Sequence, residues 1–133
     1  MEKYKSETEQ AVLAEIAKTD ENPHVRYAAI MVLDDQAVLS NIAINDRDYQ
    51  IRYAATTRLT DQAVLAQIIK NEESWSVRRT AIERITDQDL LYEIAVNDAS
   101  ESMRYCAQNR WLYISDINHY LSGCEKWKML KAK

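Results

Sequence analysis

The sequence contains two histidines and two cysteines, the residue types most characteristic of transition-metal sites and of histidine- or cysteine-dependent catalysis: His24, His119, Cys106 and Cys124. Their spacing matches neither a zinc-binding pattern nor a redox pair. The chain has one glycine, Gly123, which argues against a glycine-rich phosphate-binding loop. We therefore predict no catalytic residue, no metal site and no cofactor, and we expect that the protein is not an enzyme.

The aromatic side chains are better candidates for a functional role than the histidines and cysteines, and that role is the binding of a partner. Tyrosines with a polar tip bury a large area while tolerating water, which makes them common anchors of binding surfaces. Several fall on one helical face, together with an arginine and a glutamate. The candidate partner-binding residues are Tyr27, Tyr49, Tyr53, Trp75, Arg79, Glu83 and Tyr105. The alternative is that the recurring tyrosines shield the seams between helices.

An internal repeat positions these residues. Gln10, Gln36, Gln62 and Gln88 are each 26 residues apart, and the intervening text aligns without a gap. The four copies are EQAVLAEIAKTDENPHVRYAAIMVL, DQAVLSNIAINDRDYQIRYAATTRL, DQAVLAQIIKNEESWSVRRTAIERI and DQDLLYEIAVNDASESMRYCAQNRW. The predicted repeats are 9–34, 35–60, 61–86 and 87–112, in a single domain over 1–133. Tandem units of this length are typical of stacked repeat proteins.

Each repeat predicts two helices. The first carries apolar residues at i, i+1, i+4 and i+5, as in Val38, Leu39, Ile42 and Ala43. An Asp such as Asp61 precedes this first helix and can cap its N–H groups. The second helix has one apolar stripe at helical spacing. With one Gly and one Pro in the chain, the composition favours an all-α fold.

The repeat pattern decays after residue 112. We predict a C-terminal cap over 113–133, formed by one or two helices. The segment 115–122 has apolar residues at the positions expected for the first helix of a fifth repeat. Gly123 follows it, where a helix end favours positive φ.

A recurrent arginine lies near the start of each second helix. The segment Val25-Arg26-Tyr27-Ala28-Ala29 through Leu33, with an upstream Asp, resembles the short HEAT repeats, especially those of the phycobilisome-lyase-like class. The resemblance covers residues 9 to 112. It implies a right-handed superhelix, an α-α solenoid, whose second helices line the concave side. It also implies a structural ladder in which each arginine pairs with an acid near the end of the preceding helix: Arg26, Arg52, Arg78 and Arg104 with Asp20, Asp46, Glu72 and Asp98, respectively.

A second arginine series, Arg58, Arg84 and Arg110, also has a 26-residue spacing. It is either a basic ridge for an acidic peptide or phosphate backbone, or a set of side chains that lie across neighbouring helices and pair with their carboxylates. We favour the structural interpretation.

The predicted function is a protein-interaction scaffold. Four repeats with helices about 8–10 Å apart offer a groove about 30–40 Å long, which suits a peptide or a partner helix. The alternatives are a nucleic-acid-binding HEAT-like protein and an accessory or lyase-like subunit of an enzyme system. The formal charge of −4 argues against nucleic acid. We expect a cytoplasmic protein with no membrane partner, a monomer or weakly self-associating through the solenoid ends.

Overall fold

The computed structural model of the protein describes residues 6–132, and the remaining residues of the predicted domain, 1–5 and 133, lie outside this range. Nine α-helices and no strand occur within it, which confirms the all-α prediction. The helices are α1 Glu7–Thr19, α2 Pro23–Val32, α3 Gln36–Asn45, α4 Tyr49–Thr56, α5 Gln62–Asn71, α6 Trp75–Arg84, α7 Gln88–Asn97, α8 Glu101–Ser122 and α9 Glu125–Lys131.

Side-chain caps set where the helices of each repeat begin. The carboxylates of Asp35, Asp61 and Asp87 each accept two backbone N–H groups at the starts of α3, α5 and α7. These bonds satisfy donors that have no partner inside a helix, so a new helix begins directly after each of these aspartates. Capping by Asp61 and Asp87 agrees with the sequence prediction.

The chain divides into two compact units, the first ending at Arg84 and the second beginning at Ile85. The prediction of a single repeat domain over 1–133 stays a prediction.

The first unit is a stack of three helical hairpins, α1–α2, α3–α4 and α5–α6. First helices pack on first helices and second helices on second helices, so that α3 contacts α1 and α5, and α4 contacts α2 and α6. The apolar stripes meet in this stack, where Ile30, Leu39, Leu59 and Leu65 are fully buried. Neither helix of a hairpin could bury its stripe alone, which is why consecutive hairpins are needed.

The second unit consists of the α7–α8 hairpin with α9 packed on α8. Helix α8 runs without a break to Ser122, so the separate helix predicted over 115–122 is wrong, and the predicted boundary at 112 lies inside α8. Tyr113 occupies the repeat position of the capping residues Asp35, Asp61 and Asp87. Because a tyrosine offers no cap, nothing in the local sequence stops the helix there.

Two smaller expectations for the C-terminal half also differ from the structure. Gly123 ends α8 with φ −84°, in the right-handed region rather than at positive φ. Cys106 stands at the repeat position of Ala54 and Thr80, and this position predicts a small buried side chain, but Cys106 is half-buried.

Candidate functional site

Three of the predicted tyrosines meet at one cleft of the first unit. Tyr27 lies on α2, and Tyr49 and Tyr53 lie on α4, which packs beside α2. Their exposed fractions are 50%, 50% and 44%. The cleft has a volume of about 500 Å³ and is lined by Pro23, His24, Tyr27, Asp48, Tyr49, Gln50, Ile51, Tyr53 and Ser76. About half of the surface of each tyrosine is therefore open to a ligand.

Local sequence fixes how these rings are presented. Asn22 Oδ1 accepts the His24 N–H at 2.9 Å, and Asp48 Oδ1 accepts the Gln50 N–H at 2.9 Å, so α2 and α4 begin at equivalent points. Pro23 occupies the first turn of α2, where its missing N–H costs nothing. Equivalent starts place Tyr27 and Tyr53 at the same height on adjacent helices.

The predicted residues of α6 lie apart from this lining. Trp75 is exposed, and Arg79 Nε lies 3.1 Å from Glu83 Oε1 in an exposed ion pair. The cleft takes Ser76 from α6 instead of these three. The last predicted residue, Tyr105, is exposed on α8 in the second unit.

The cleft also includes residues that the sequence analysis did not select. Pro23, His24, Asp48 and Gln50 contribute to its lining. The available signal was position: Pro23 precedes Tyr27 by one helical turn, and Asp48 and Gln50 flank Tyr49. Polar residues at helix starts are common in any helical protein, so their type alone did not single them out.

The recurrent arginines pair differently from the expected scheme. Arg26 Nε lies 3.3 Å from Asp46 Oδ2, and Arg52 Nε lies 2.9 Å from Glu72 Oε2, so each reaches the carboxylate of the following repeat. The expected partners Asp20 and Asp46 accept these arginines through their backbone carbonyls, with both Nη1–O distances at 2.7 Å.

The other two recurrent arginines also donate to backbone carbonyls. Arg104 Nη1 donates to the Asp98 carbonyl at 2.6 Å, as Arg26 and Arg52 do at their own turns, and Arg78 Nε donates to the Ile69 carbonyl at 2.6 Å.

The turn between the two helices of a repeat explains why the carboxylate is not used within that repeat. Asp20, Asp46 and Asp98 each direct Oδ1 to the backbone N–H two residues later, at 2.9 Å. Glu72 does the same to Ser74 through Oε1 at 3.0 Å. Each acid therefore closes its own turn, and in Asp46 and Glu72 the carboxylate also reaches the arginine of the preceding hairpin.

This arrangement of hydrogen bonds and charges lowers the pKa of the Glu72 carboxyl. Burial opposes the charged form of Glu72, but the side-chain hydrogen bonds from Arg52, the backbone N–H groups of Ser74 and Glu73, and the Arg52 charge outweigh it. Together they hold the pKa of the Glu72 carboxyl below its ordinary value of 4.5. Glu72 is thus a charged, hydrogen-bonded structural group.

The second arginine series donates to backbone carbonyls that lie 25 to 28 residues earlier in the chain. Arg58 Nη1 donates to the Leu33 and Ile30 carbonyls, Arg84 Nε donates to the Leu59 carbonyl at 2.6 Å, and Arg110 Nε donates to the Ile85 carbonyl at 3.0 Å. These carbonyls are acceptors that a helix end leaves without partners. The series is structural, as favoured, but its main partners are carbonyls, with a longer contact of 4.0 Å from Arg58 to Asp34.

No cluster of three or more His, Cys, Asp or Glu side chains that could hold a metal ion occurs within residues 6–132. None of the described helices combines the length and apolarity required to cross a membrane.

Comparison of the sequence and structure with protein-family models, curated proteins and solved structures finds no match in any of the three.

Proposed function

We propose that the protein is a HEAT-like α-solenoid scaffold that binds a peptide or a partner helix along the second helices of its repeats. The single observation that carries the proposal is the tyrosine cleft, which we define as the depression lined by Tyr27, Tyr49 and Tyr53 between α2 and α4. Three half-exposed aromatic rings around a volume of about 500 Å³ form a concave apolar surface with polar edges. Such surfaces are typical of recognition sites.

The charges near the cleft favour a ligand that is bound mainly by aromatic contact. The Asp48 carboxylate is already used as the cap of α4. On α6, Arg79 and Glu83 neutralise one another. No strong field of one sign is therefore directed at a ligand from these groups, which supports a peptide more than a phosphate backbone.

The proposal is tested by selecting ligands and then removing the rings. Peptide libraries containing extended and helical sequences are panned against the wild-type protein, and the affinity of an enriched peptide is measured by titration calorimetry. Tyr27→Ala/Tyr53→Ala should weaken binding by about 10- to 100-fold, as expected for paired aromatic anchors. Trp75→Ala tests whether the ligand extends beyond the cleft onto α6.

The matched control is Tyr120→Ala, which removes an exposed tyrosine of α8 in the other unit. Circular dichroism and a thermal melt establish that each variant keeps the helical fold. Equal affinity of the selected peptide for the wild type and the double variant would refute the tyrosine cleft as the site. Failure of both libraries to yield any ligand would also count against a peptide-binding function.

A further inference from the structure

The first hairpin presents half of an ion pair. Asp46 directs Oδ1 to the Asp48 N–H and Oδ2 to Arg26 of the preceding hairpin. Asp20 is its equivalent in the first repeat, and its Oδ1 accepts the Asn22 N–H in the same way. Among residues 6–132 no arginine reaches its second oxygen, Oδ2. A carboxylate oxygen oriented toward a preceding hairpin is therefore presented at this side of α1–α2.

The last hairpin presents the other half. Arg104 is held by its Asp98 carbonyl bond as Arg26 and Arg52 are held by theirs. In Arg26 and Arg52 the Nε side of the guanidinium faces the carboxylate of the next repeat. For Arg104 no carboxylate lies within ion-pair distance in the part of the chain that the structure describes.

The apolar surfaces on these two sides also match. Val25 is 38% exposed, whereas its equivalent in the second repeat, Ile51, is 2% exposed where α4 packs on α2. On α8, Trp111 is half-buried at the position where Leu33 of the first repeat is fully buried. A mostly apolar depression of about 370 Å³ on α7–α8 includes Trp111 and is otherwise lined by Tyr92, Ala95, Val96, Gln108 and Leu112.

The continuous α8 explains why this side is open. After each of the first two repeats the chain reverses at Asp35 or Asp61 and lays the next first helix on the previous one. At Tyr113 the chain runs straight on, so the flank of α7 around Val96 receives no such helix at that point.

We propose that a second copy of this chain packs its α1–α2 hairpin on the open side of α7–α8, with Asp20 of one copy accepting from Arg104 of the other. The contact repeats the joint between consecutive hairpins inside the first unit, with the same ion pair in the same register. The net charges are also of opposite sign. Helix α1 carries three glutamates and one lysine, Lys18, which pairs with Glu15, whereas α9 beside α8 carries three lysines and one glutamate, Glu125, which pairs with Lys128.

The two surfaces are different, so the association is head-to-tail and further copies can add. It should be weaker than the internal joints. Val32 stands at the repeat position of Arg58, which donates to the Leu33 carbonyl across the internal joint. The contact between copies lacks that bond and should form with a Kd of about 10–100 µM, in the range of small transient interfaces.

The test is sedimentation velocity of the full chain over a concentration series. The wild type should rise above its 15.5 kDa monomer mass as concentration increases. Arg104→Glu and Asp20→Arg each place like charges at the contact and should raise Kd by at least about tenfold. An equimolar mixture of the two variants should associate again, because each contact then joins opposite charges.

Arg47→Glu, which makes the same charge change at an exposed position outside both surfaces, should leave association unchanged. A wild type that stays monomeric throughout the series would overturn the proposal. Association that survives both single variants would place the interface elsewhere and overturn it as well. Restoration in the mixture cannot arise from misfolded variants, and the experiment is independent of what the tyrosine cleft binds.

Discussion

Arg52 and Glu72 form a two-pronged ion pair that joins the second and third hairpins. Arg52 Nε lies 2.9 Å from Glu72 Oε2, and Nη2 lies 3.1 Å from Oε1. The third arm, Nη1, holds the Asp46 carbonyl at 2.7 Å. One guanidinium therefore fastens a turn of its own repeat to a turn of the next. This planar geometry is specific to arginine, since lysine offers a single charged point.

Removing one partner of this pair should destabilise the fold. Glu72→Gln leaves the largely buried Arg52 guanidinium without its counter-charge, and we expect a loss of about 2–4 kcal/mol in the free energy of unfolding. Urea denaturation followed by circular dichroism measures it. The control is Glu83→Gln, which breaks the exposed pair with Arg79 and should cost no more than about 0.5 kcal/mol. Similar losses in the two variants would contradict the structural role of Arg52–Glu72.

Acid should weaken the same joint. The folded pKa of Glu72 is lower than the ordinary value of 4.5 expected for the unfolded chain, so the folded state favours the charged carboxylate. Its contribution is fully present above the unfolded pKa and is lost as pH falls toward the folded pKa. The free energy of unfolding, measured from about pH 7 to about pH 3, should therefore fall less steeply below about pH 4.5 in Glu72→Gln than in the wild type. Parallel pH profiles would show that Glu72 titrates alike in both states.

Much of the architecture was predictable because one repeat occurs four times. The 26-residue register of Gln36, Arg52 and Leu59 predicts two helices per unit, and the structure places α3 and α4 there. The partner of Arg52 was not predictable in this way. Asp46 lies six residues before it and Glu72 twenty residues after it. Choosing between them requires the stacking of hairpins and the use of each acid in its own turn.

The candidate site follows the same division. Helical spacing within a repeat, combined with the repeat period, placed Tyr27, Tyr49 and Tyr53 on one face, and the structure brings them to one cleft. Trp75 belongs to the same sequence pattern but lies outside the lining, because a pattern defines a helical face and not the depth of the surface along it.

The recurrent glutamines, whose spacing defines the 26-residue repeat, should also stabilise the fold. Gln36 Nε2 donates to the Arg58 carbonyl at 2.9 Å, and its Oε1 accepts the Thr60 N–H at 3.1 Å. Both bonds fasten the end of α4 to the start of α3. Gln36→Ala should cost about 1 kcal/mol by chemical denaturation, because the partly buried Arg58 carbonyl and the exposed Thr60 N–H both lose their partner. Gln67→Ala, at an exposed position of α5, is the control and should be close to neutral. An unchanged free energy of unfolding in Gln36→Ala would show that these bonds have no net stabilising effect.

The length of α8 should depend on a missing cap. The first three repeats are followed by Asp35, Asp61 and Asp87, each of which begins a new helix, whereas the fourth is followed by Tyr113 inside α8. Leu112→Thr/Tyr113→Asp copies the Thr60–Asp61 pair into this position, which offers the backbone an alternative to helix continuation. We expect amide exchange at residues 112–115 to speed up by about tenfold, a change of about 1.4 kcal/mol in local opening. Exchange across α7 should stay as in the wild type, which distinguishes a local break from general destabilisation.

Leu112→Ala/Tyr113→Ala removes the same side chains without adding a cap and should leave α8 continuous. Equal exchange in the two double variants would mean that the absent aspartate is not what extends the helix.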